Sequence, residues 1–229
     1  MTPSARVGVV VPAAGSGQRM GGVRKPFLEL DGEPVLTHAL RPFLADPRVI
    51  AVVVALSPAD ADDPPLWIAG SDDRVRIVAG GDTRAESVRN ALSALPEVDV
   101  VAVHDAARPL VTADVVDRCI EVALAGEGAV AGCPAVDTVK RVDDGGRIVD
   151  TPDRARLWYA HTPQVFPADM IRRAYAMDLS GATDDASLVE RTGAVVRMVD
   201  GGASNLKVTR AEDLSLAETL LRGRLGAAR

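Results

Sequence analysis

The chain has 229 residues, 47% of them hydrophobic and 25% charged, with a formal net charge of −6. This length fits one globular domain with a full core, and the acidic balance argues against non-specific binding to nucleic acid or to an anionic membrane. Aromatic residues make up only 3%, too few for a base-stacking platform, and the apolar runs are too short to span a bilayer.

The first predicted strand, Arg6–Val11, runs into Pro12-Ala13-Ala14-Gly15-Ser16-Gly17-Gln18-Arg19-Met20, with Lys25 just beyond. Small residues let backbone N–H groups approach an anion, and nearby cations neutralise it, which is loop chemistry for a triphosphate. Met20 stands where a dinucleotide fingerprint needs its third glycine. Gly22 is followed by Val23-Arg24 where a Walker A loop needs Lys-Ser/Thr, so neither common phosphate loop is present. Of 26 basic residues, only Lys25, Lys140 and Lys207 are lysines. A lysine beside the glycine loop therefore marks a place that calls for a compact point charge. On the loop alone, an ordinary glycine-rich turn followed by solvated cations is the competing reading.

Helix candidates Val35–Leu44, Ala85–Leu95 and Ala113–Ala125 alternate with strand candidates Val49–Leu56, Val75–Val78, Val98–Val103 and Ala129–Cys133. The alternation and the continuously apolar strands predict an α/β fold with a doubly wound, mostly parallel sheet. Ligands of such sheets sit beyond the carboxyl ends of the strands. That rule gathers the Pro12–Lys25 loop, the Ala79–Arg84 turn and His104-Asp105-Ala106-Ala107-Arg108-Pro109 in one place.

Further along, Val136, Thr138, Val142, Ile148 and Val149 flank Asp143-Asp144-Gly145-Gly146, a hairpin signal. Its apolar content is thin, which predicts an arm that projects and packs on a second copy; a hairpin folded back on its own domain is the alternative. Thr183-Asp184-Asp185 starts a helix through Glu190 with acids in its first turn. Thr209-Arg210-Ala211-Glu212 has the form of a capping box and opens a last helix through about Leu221. Cys119 and Cys133 lack metal or redox spacing and read as buried free thiols of a reducing compartment. With no apolar leader at the N-terminus, the expected location is the cytoplasm.

Taken in order, several segments closely resemble the 2-C-methyl-D-erythritol 4-phosphate cytidylyltransferase family over nearly the whole length. They are Pro12–Met20, Gly80-Gly81-Asp82-Thr83-Arg84 with Ser87, His104–Pro109, Asp137-Thr138-Val139-Lys140, Asp153-Arg154, Leu157-Trp158, Thr162-Pro163-Gln164, Thr183–Ser187 and Asn205–Thr209. The resemblance implies a Rossmann-like nucleotidyltransferase fold in a single domain over 1–229. It also implies CTP and a polyol phosphate as ligands, Mg²⁺ as cofactor, and a homodimer formed through an arm at about 136–156.

Carried over by position, it implies that Ala13, Ala14, Gly15, Ser16 and Gly17 wrap the triphosphate and cytosine, and that Gly81, Asp82, Ser87 and Ala106 complete the CTP pocket. Arg19 and Lys25 would stabilise the α-phosphate transition state, and Arg154 and Lys207 would hold the incoming phosphate. Asp105, Arg108, Thr138, Thr162 and Thr183 would line the alcohol phosphate site, with Asp105 also facing Mg²⁺ and with Thr138 and Arg154 supplied by the partner's arm. The chain departs from the family at Arg24-Lys25-Pro26, where Pro-Lys-Gln is common, and Pro26 restricts the backbone of Lys25. Nothing resembling a cyclodiphosphate synthase domain follows the last helix, so a monofunctional enzyme is expected.

A phosphate monoester nucleophile is already largely dianionic at neutral pH, its second pKa being about 6. No general base is required, and His38, His104 and His161 receive no proton-transfer role; positioning and electrostatics should supply the catalysis. Three other readings stay open on the sequence: a ribitol-5-phosphate cytidylyltransferase, a hexose-1-phosphate nucleotidyltransferase, and a nucleotide-binding module without activity.

Overall fold

A computed structural model describes residues 5–15 and 24–227, giving the backbone alone for Lys25 and for 225–227. In chain order its elements begin with β1 (Val7–Pro12), β2 (Glu29–Leu30), β3 (Glu33–Pro34), α1 (Val35–Leu44), β4 (Val49–Leu56), α2 (Pro58–Asp62), α3 (Leu66–Ala69) and β5 (Val75–Ala79). The middle of the chain forms α4 (Arg84–Ala94), β6 (Val100–Val103), α5 (Ala113–Leu124), β7 (Gly128–Pro134), β8 (Arg141–Val142) and β9 (Ile148–Asp150). It closes with β10 (Trp158–Pro167), α6 (Ala168–Tyr175), α7 (Asp185–Glu190), β11 (Val196–Asp200) and α8 (Ala211–Ala227). Among the described residues no helix is long and apolar enough to cross a membrane.

Seven strands form one sheet in the order β11-β7-β10-β6-β1-β4-β5. Neighbouring strands run parallel except β10, which is antiparallel to both β6 and β7. Val7, Val9 and Val11 enter a core closed by α1 and α5, whereas Val10 enters the opposite core closed by α4, α6 and α7. Both faces of β1 are therefore covered, which is why its sequence is apolar without alternation. A third, smaller cluster seats α8 against Leu30, Val35, Leu110 and Val208.

The expected strands and helices of the first half are all present, with ends shifted by at most two residues. Two of the differences have physical causes. The strand β10 does not read as one because Thr162-Pro163-Gln164 interrupts it. The sheet accommodates Pro163 through a register shift between Ala160 and Gln164, the irregularity that lets a residue without an N–H occupy an inner strand. The strand β11 and the helix α6, like β10, have no counterpart in the sequence reading. The last helix is longer than expected and is capped differently. Asp213 Oδ2 accepts from the backbone N–H of Arg210 at 2.8 Å and from the N–H and hydroxyl of Thr209, both at 2.7 Å. The carboxylate reaching back belongs to Asp213, one position beyond the Glu212 that the motif suggested, because the helix itself starts one residue later.

The β8–β9 hairpin stands on its own. Asp143 Oδ1 accepts from Gly145 N and Arg147 N at 3.0 and 2.9 Å, and Gly146 closes the turn at φ +79°. Residues 140–151 are all exposed, so the arm projects and does not fold back on the sheet.

Gly132 on β7 offers a test of this packing. A Cβ there would lie 2.5 Å from both the Tyr159 carbonyl oxygen and Met198 Cε. The first is backbone and cannot move aside. Gly132→Ala should cost about 1–3 kcal/mol, which for a domain of this size lowers Tm by roughly 2–10 °C. Gly70→Ala, with no described atom within 4 Å of the added carbon and a φ of −135°, serves as the control in the same thermal melt.

Candidate active site

Three loops leave the carboxyl ends of β1, β5 and β6, and the sheet register brings them together. Ala13 N donates to Ala55 O at 2.8 Å and Gly80 N to Leu56 O at 2.7 Å, which lays the first two loops side by side. A Cβ on Gly80 would fall 2.4 Å from Ala14 Cβ and 2.8 Å from Ser87 Oγ. Glycine is required there for the loops to touch. Ser87 Oγ accepts from Gly81 N at 3.1 Å and donates to Thr83 O at 3.0 Å, fixing this turn onto the start of α4. Thr83 and Glu86 close that helix end with a full capping box. Asp82 is exposed at the turn.

After β6 the chain enters a buried polar network. Asp105 N donates to Thr162 Oγ1 at 2.9 Å, and Thr162 Oγ1 lies 3.1 Å from His104 Nδ1. His104 Nε2 lies 3.1 Å from Arg108 O, an acceptor only. The imidazole proton must therefore sit on Nε2, leaving Nδ1 to accept the Thr162 hydroxyl proton. Burial pulls the His104 pKa down to about 4, so the ring is neutral. It is a structural group locked at both nitrogens.

Asp105 is the centre of charge. Its Oδ1 accepts from Arg84 Nε at 3.1 Å and its Oδ2 from Lys207 Nζ at 2.8 Å, while Arg108 Nε stands 3.6 Å from Oδ2. Burial alone would raise this carboxyl. Arg84, Lys207 and Arg108 outweigh it and hold the pKa well below the usual carboxylate range. Lys207 reaches Asp105 because its segment is anchored on three sides. Asn205 Nδ2 donates to Thr162 O at 2.8 Å, Arg108 donates to Asn205 O at 2.7 Å, and Val208 N donates to Ala107 O at 2.8 Å.

Arg84 also forks onto Asp185, at 3.0 and 2.7 Å. The connected group thus holds three cations and two carboxylates, one positive charge in excess.

The structure unites most of the residues expected from the sequence. Ala14, Gly81 and Ser87 form one rim. Asp105, Arg108, Thr162 and Lys207 form the charged cluster, with Ala106 buried beside Asp105. Ala13 and Gly15 belong to the first loop. Thr183 is exposed ahead of α7 and lines a small cleft with Arg84, Tyr175 and Asp184. Thr138 and Arg154 do not join this cluster within the protomer: both are exposed on the arm, where Arg154 donates to Val136 O at 2.6 Å. Ser16, Gly17 and Arg19 lie outside the described residues, and Lys25 contributes the first backbone position of a 3₁₀ turn, Lys25–Phe27.

Two members of the cluster fall in the motifs named above but have no site role in the sequence reading. Arg84 opens a helix, where the dipole disfavours a cation; that mismatch is a usable signal for a carboxylate partner. Asp185 is the first-turn acid of α7 that the sequence predicts, after the Asp184 cap, but it is also fully buried, which its local pattern does not signal.

Among the described residues no group of three or more His, Cys, Asp or Glu side chains is placed to hold a metal ion. A Mg²⁺ that rests mainly on phosphate oxygens needs only one or two carboxylates. Asp105 fits as that ligand, being ionised and rigidly held, with lone pairs left on both oxygens beyond its direct hydrogen bonds.

Residues 7–223 match the family described as 2-C-methyl-D-erythritol 4-phosphate cytidylyltransferase. The enzyme of that name from Aeromonas hydrophila subsp. hydrophila is 48% identical over 212 residues, covering 91% of this chain and 86% of its own. Among solved structures, the 4-diphosphocytidyl-2C-methyl-D-erythritol synthase of Anaerococcus prevotii superimposes with a TM-score of 0.85 at 28% identity, covering 96% of this chain and 97% of that one. The Thermus thermophilus cytidylyltransferase gives a TM-score of 0.78 at 33% identity, covering 95% and 99%.

Acidification tests the buried network. The unfolded chain binds a proton on His104 near pH 6.5 while the folded chain resists until about 4. Between those values the unfolded state holds more protons, so stability falls as pH falls, by up to about 3 kcal/mol. His161, which burial also pulls to about 4, acts in the same direction. Urea unfolding from pH 7 to 4 reads the slope, and an NMR titration should find His104 neutral at pH 5. A His104 resonance titrating near its unfolded value contradicts the assignment.

Proposed function

The chain belongs to the 2-C-methyl-D-erythritol 4-phosphate cytidylyltransferase family, and we propose that it carries out cytidylyl transfer with CTP held by the loops after β1 and β5 and the alcohol phosphate drawn to the cluster around Asp105. The reaction joins CTP to 2-C-methyl-D-erythritol 4-phosphate, giving the cytidine diphosphate alcohol and pyrophosphate, a step of the non-mevalonate isoprenoid pathway. The observation that carries the assignment of roles is the meeting of Lys207, Arg108 and Arg84 on one carboxylate at the end of β6, beside the Ala14–Gly80–Ser87 contact.

An oxygen of the substrate's phosphate monoester attacks the α-phosphorus of CTP, a new P–O bond forms, and the bond to the β-phosphate oxygen breaks to release pyrophosphate. The nucleophile arrives already charged, which agrees with a His104 that is neutral and bonded at both nitrogens. The obstacle is repulsion between two anions. Lys207 and Arg154 hold the incoming phosphate, while Arg19 and Lys25 stabilise charge building on the α-phosphate. Arg108, Thr162 and Thr183 orient the alcohol phosphate. Gly81, Asp82, Ser87 and Ala106, with Ala13–Gly17, enclose the nucleotide. Asp105 would hold Mg²⁺, which when bound supplies further charge neutralisation on the phosphates.

Arg154 and Thr138 lie on the projecting arm, so their part in the site is supplied to a partner copy. Exposed Val136, Val142, Ile148 and Val149 give that arm an apolar surface to bury in a homodimer. The remainder of the chain acts as one nucleotidyltransferase domain, working in the cytoplasm.

Arg19→Ala, Lys25→Ala and Lys207→Ala should each lower turnover by about 10²–10³-fold, read as pyrophosphate release. Arg154→Ala should raise KM for the alcohol phosphate more than for CTP. Mixing Arg154→Ala with Lys25→Ala chains should restore some active sites; no recovery after verified subunit exchange removes the shared site. Turnover with ribitol 5-phosphate above that with the methylerythritol phosphate would reverse the choice of alcohol, and equal rates with UTP or GTP would reverse the choice of nucleotide.

A further inference from the structure

Behind the charged cluster lies a second layer that the proposed chemistry does not use. Tyr175, the last residue of α6, donates its hydroxyl to Asp185 Oδ1. Asp185 is fully buried at the start of α7 and accepts both terminal nitrogens of Arg84. The remaining Nε–H of Arg84 points to Asp105 Oδ1, and Asp105 Oδ2 faces Lys207. One planar guanidinium therefore spans two carboxylates, and its plane settles which oxygen of Asp105 is left for Lys207. A simple ion pair would not require this. Asp105 has Arg108 and Lys207 close to it already, and a cation at the first residue of α4 is set against the helix dipole. Burying Asp185 to orient Arg84 is costly unless the orientation matters.

We propose that Tyr175 and Asp185 are positioning residues, which act through Arg84 and Asp105 to set the place of the Lys207 ammonium. The functional consequence rests on the reading of Lys207 as the group that holds the incoming phosphate. The order of action runs from α6 through α7 and α4 to the loop after β6. A lysine at position 84 cannot replace the arginine, because a point charge offers no fixed fork toward Asp185 together with a third N–H toward Asp105.

The three lysines of the chain make a direct test practical. Reductive ¹³C-methylation gives one lysine signal each for Lys25, Lys140 and Lys207, and Lys207→Arg identifies the last by its disappearance. In Tyr175→Phe and Arg84→Lys, the Lys207 signal should shift while that of Lys140, hydrogen-bonded to Thr151 on the arm, stays in place. In the same proteins kcat/KM for the alcohol phosphate should fall about three- to tenfold for Tyr175→Phe and further for Arg84→Lys, with KM for CTP changed less than about twofold. Tyr175→Phe removes one oxygen from a packed ring and keeps the fold within reach of measurement. A Lys207 signal that overlays the wild type in both folded variants overturns the proposal, even where Tm drops. A Lys207 signal that shifts in the two variants, with a wild type that releases no pyrophosphate, supports the positioning and counts against the reaction.

Discussion

Burying the Asp105 carboxylate would cost several kcal/mol if its charge were left alone, and the neighbourhood of the site can be understood as the answer to that cost. Arg84, Arg108 and Lys207 surround it. Each of these is in turn fixed by something else: Arg84 by Asp185, Arg108 by the Asn205 carbonyl, and Lys207 by a segment tied to Ala107. Removing the carboxylate would leave three partly desolvated cations facing one another. The cluster is cohesive because the buried carboxylate and the cations around it offset one another.

The sheet makes this convergence possible through its single antiparallel member. Because β10 lies between β6 and β7, Thr162 stands directly beside the Asp105 backbone, and its carbonyl receives Asn205. Gln164, two residues on, accepts from Ala186 N and donates to Asp184, so the start of α7 is pinned to the same strand. The polar residues that interrupt β10 as a strand pattern are therefore the ones that attach Lys207 and Asp185 to the core. An all-apolar strand would pair equally well and would leave both segments unanchored.

This explains what could be read from the chain directly. The helix Val35–Leu44 and the strand Val49–Leu56 were legible to the residue because their burial follows from local pattern alone. The loops after β1, β5 and β6 were legible as a shared site because the rule of strand ends needs no side-chain partner. Arg84 and Asp185 were not, since the contact that defines them joins residues 101 positions apart. The cap of α8 failed for a smaller reason. Glu212 and Asp213 both satisfy the composition of a first turn, and only the starting residue of the helix decides which one reaches back.

The charge arrangement also bears on how such a site exists before its ligands arrive. Converging cations repel, and a pocket of unpaired arginines and lysines would be open and poorly ordered. Here Asp105 and Asp185 offset two of the three charges and keep the cations within a few ångströms of one another. The members differ in how firmly they are held. Arg84 is fixed by its fork onto Asp185 and Arg108 by burial and its bond to the Asn205 carbonyl, whereas the Lys207 side chain is 41% exposed and rests on a single contact. A phosphate dianion carries twice the charge of the Asp105 carboxylate, so in the proposed reaction Lys207 gains by exchanging one for the other, whereas Arg84 would have to give up its fork on Asp185. On the proposed reading, Lys207 is the member of this cluster that meets the substrate phosphate, while Arg84 and Arg108 keep the floor of the site in place.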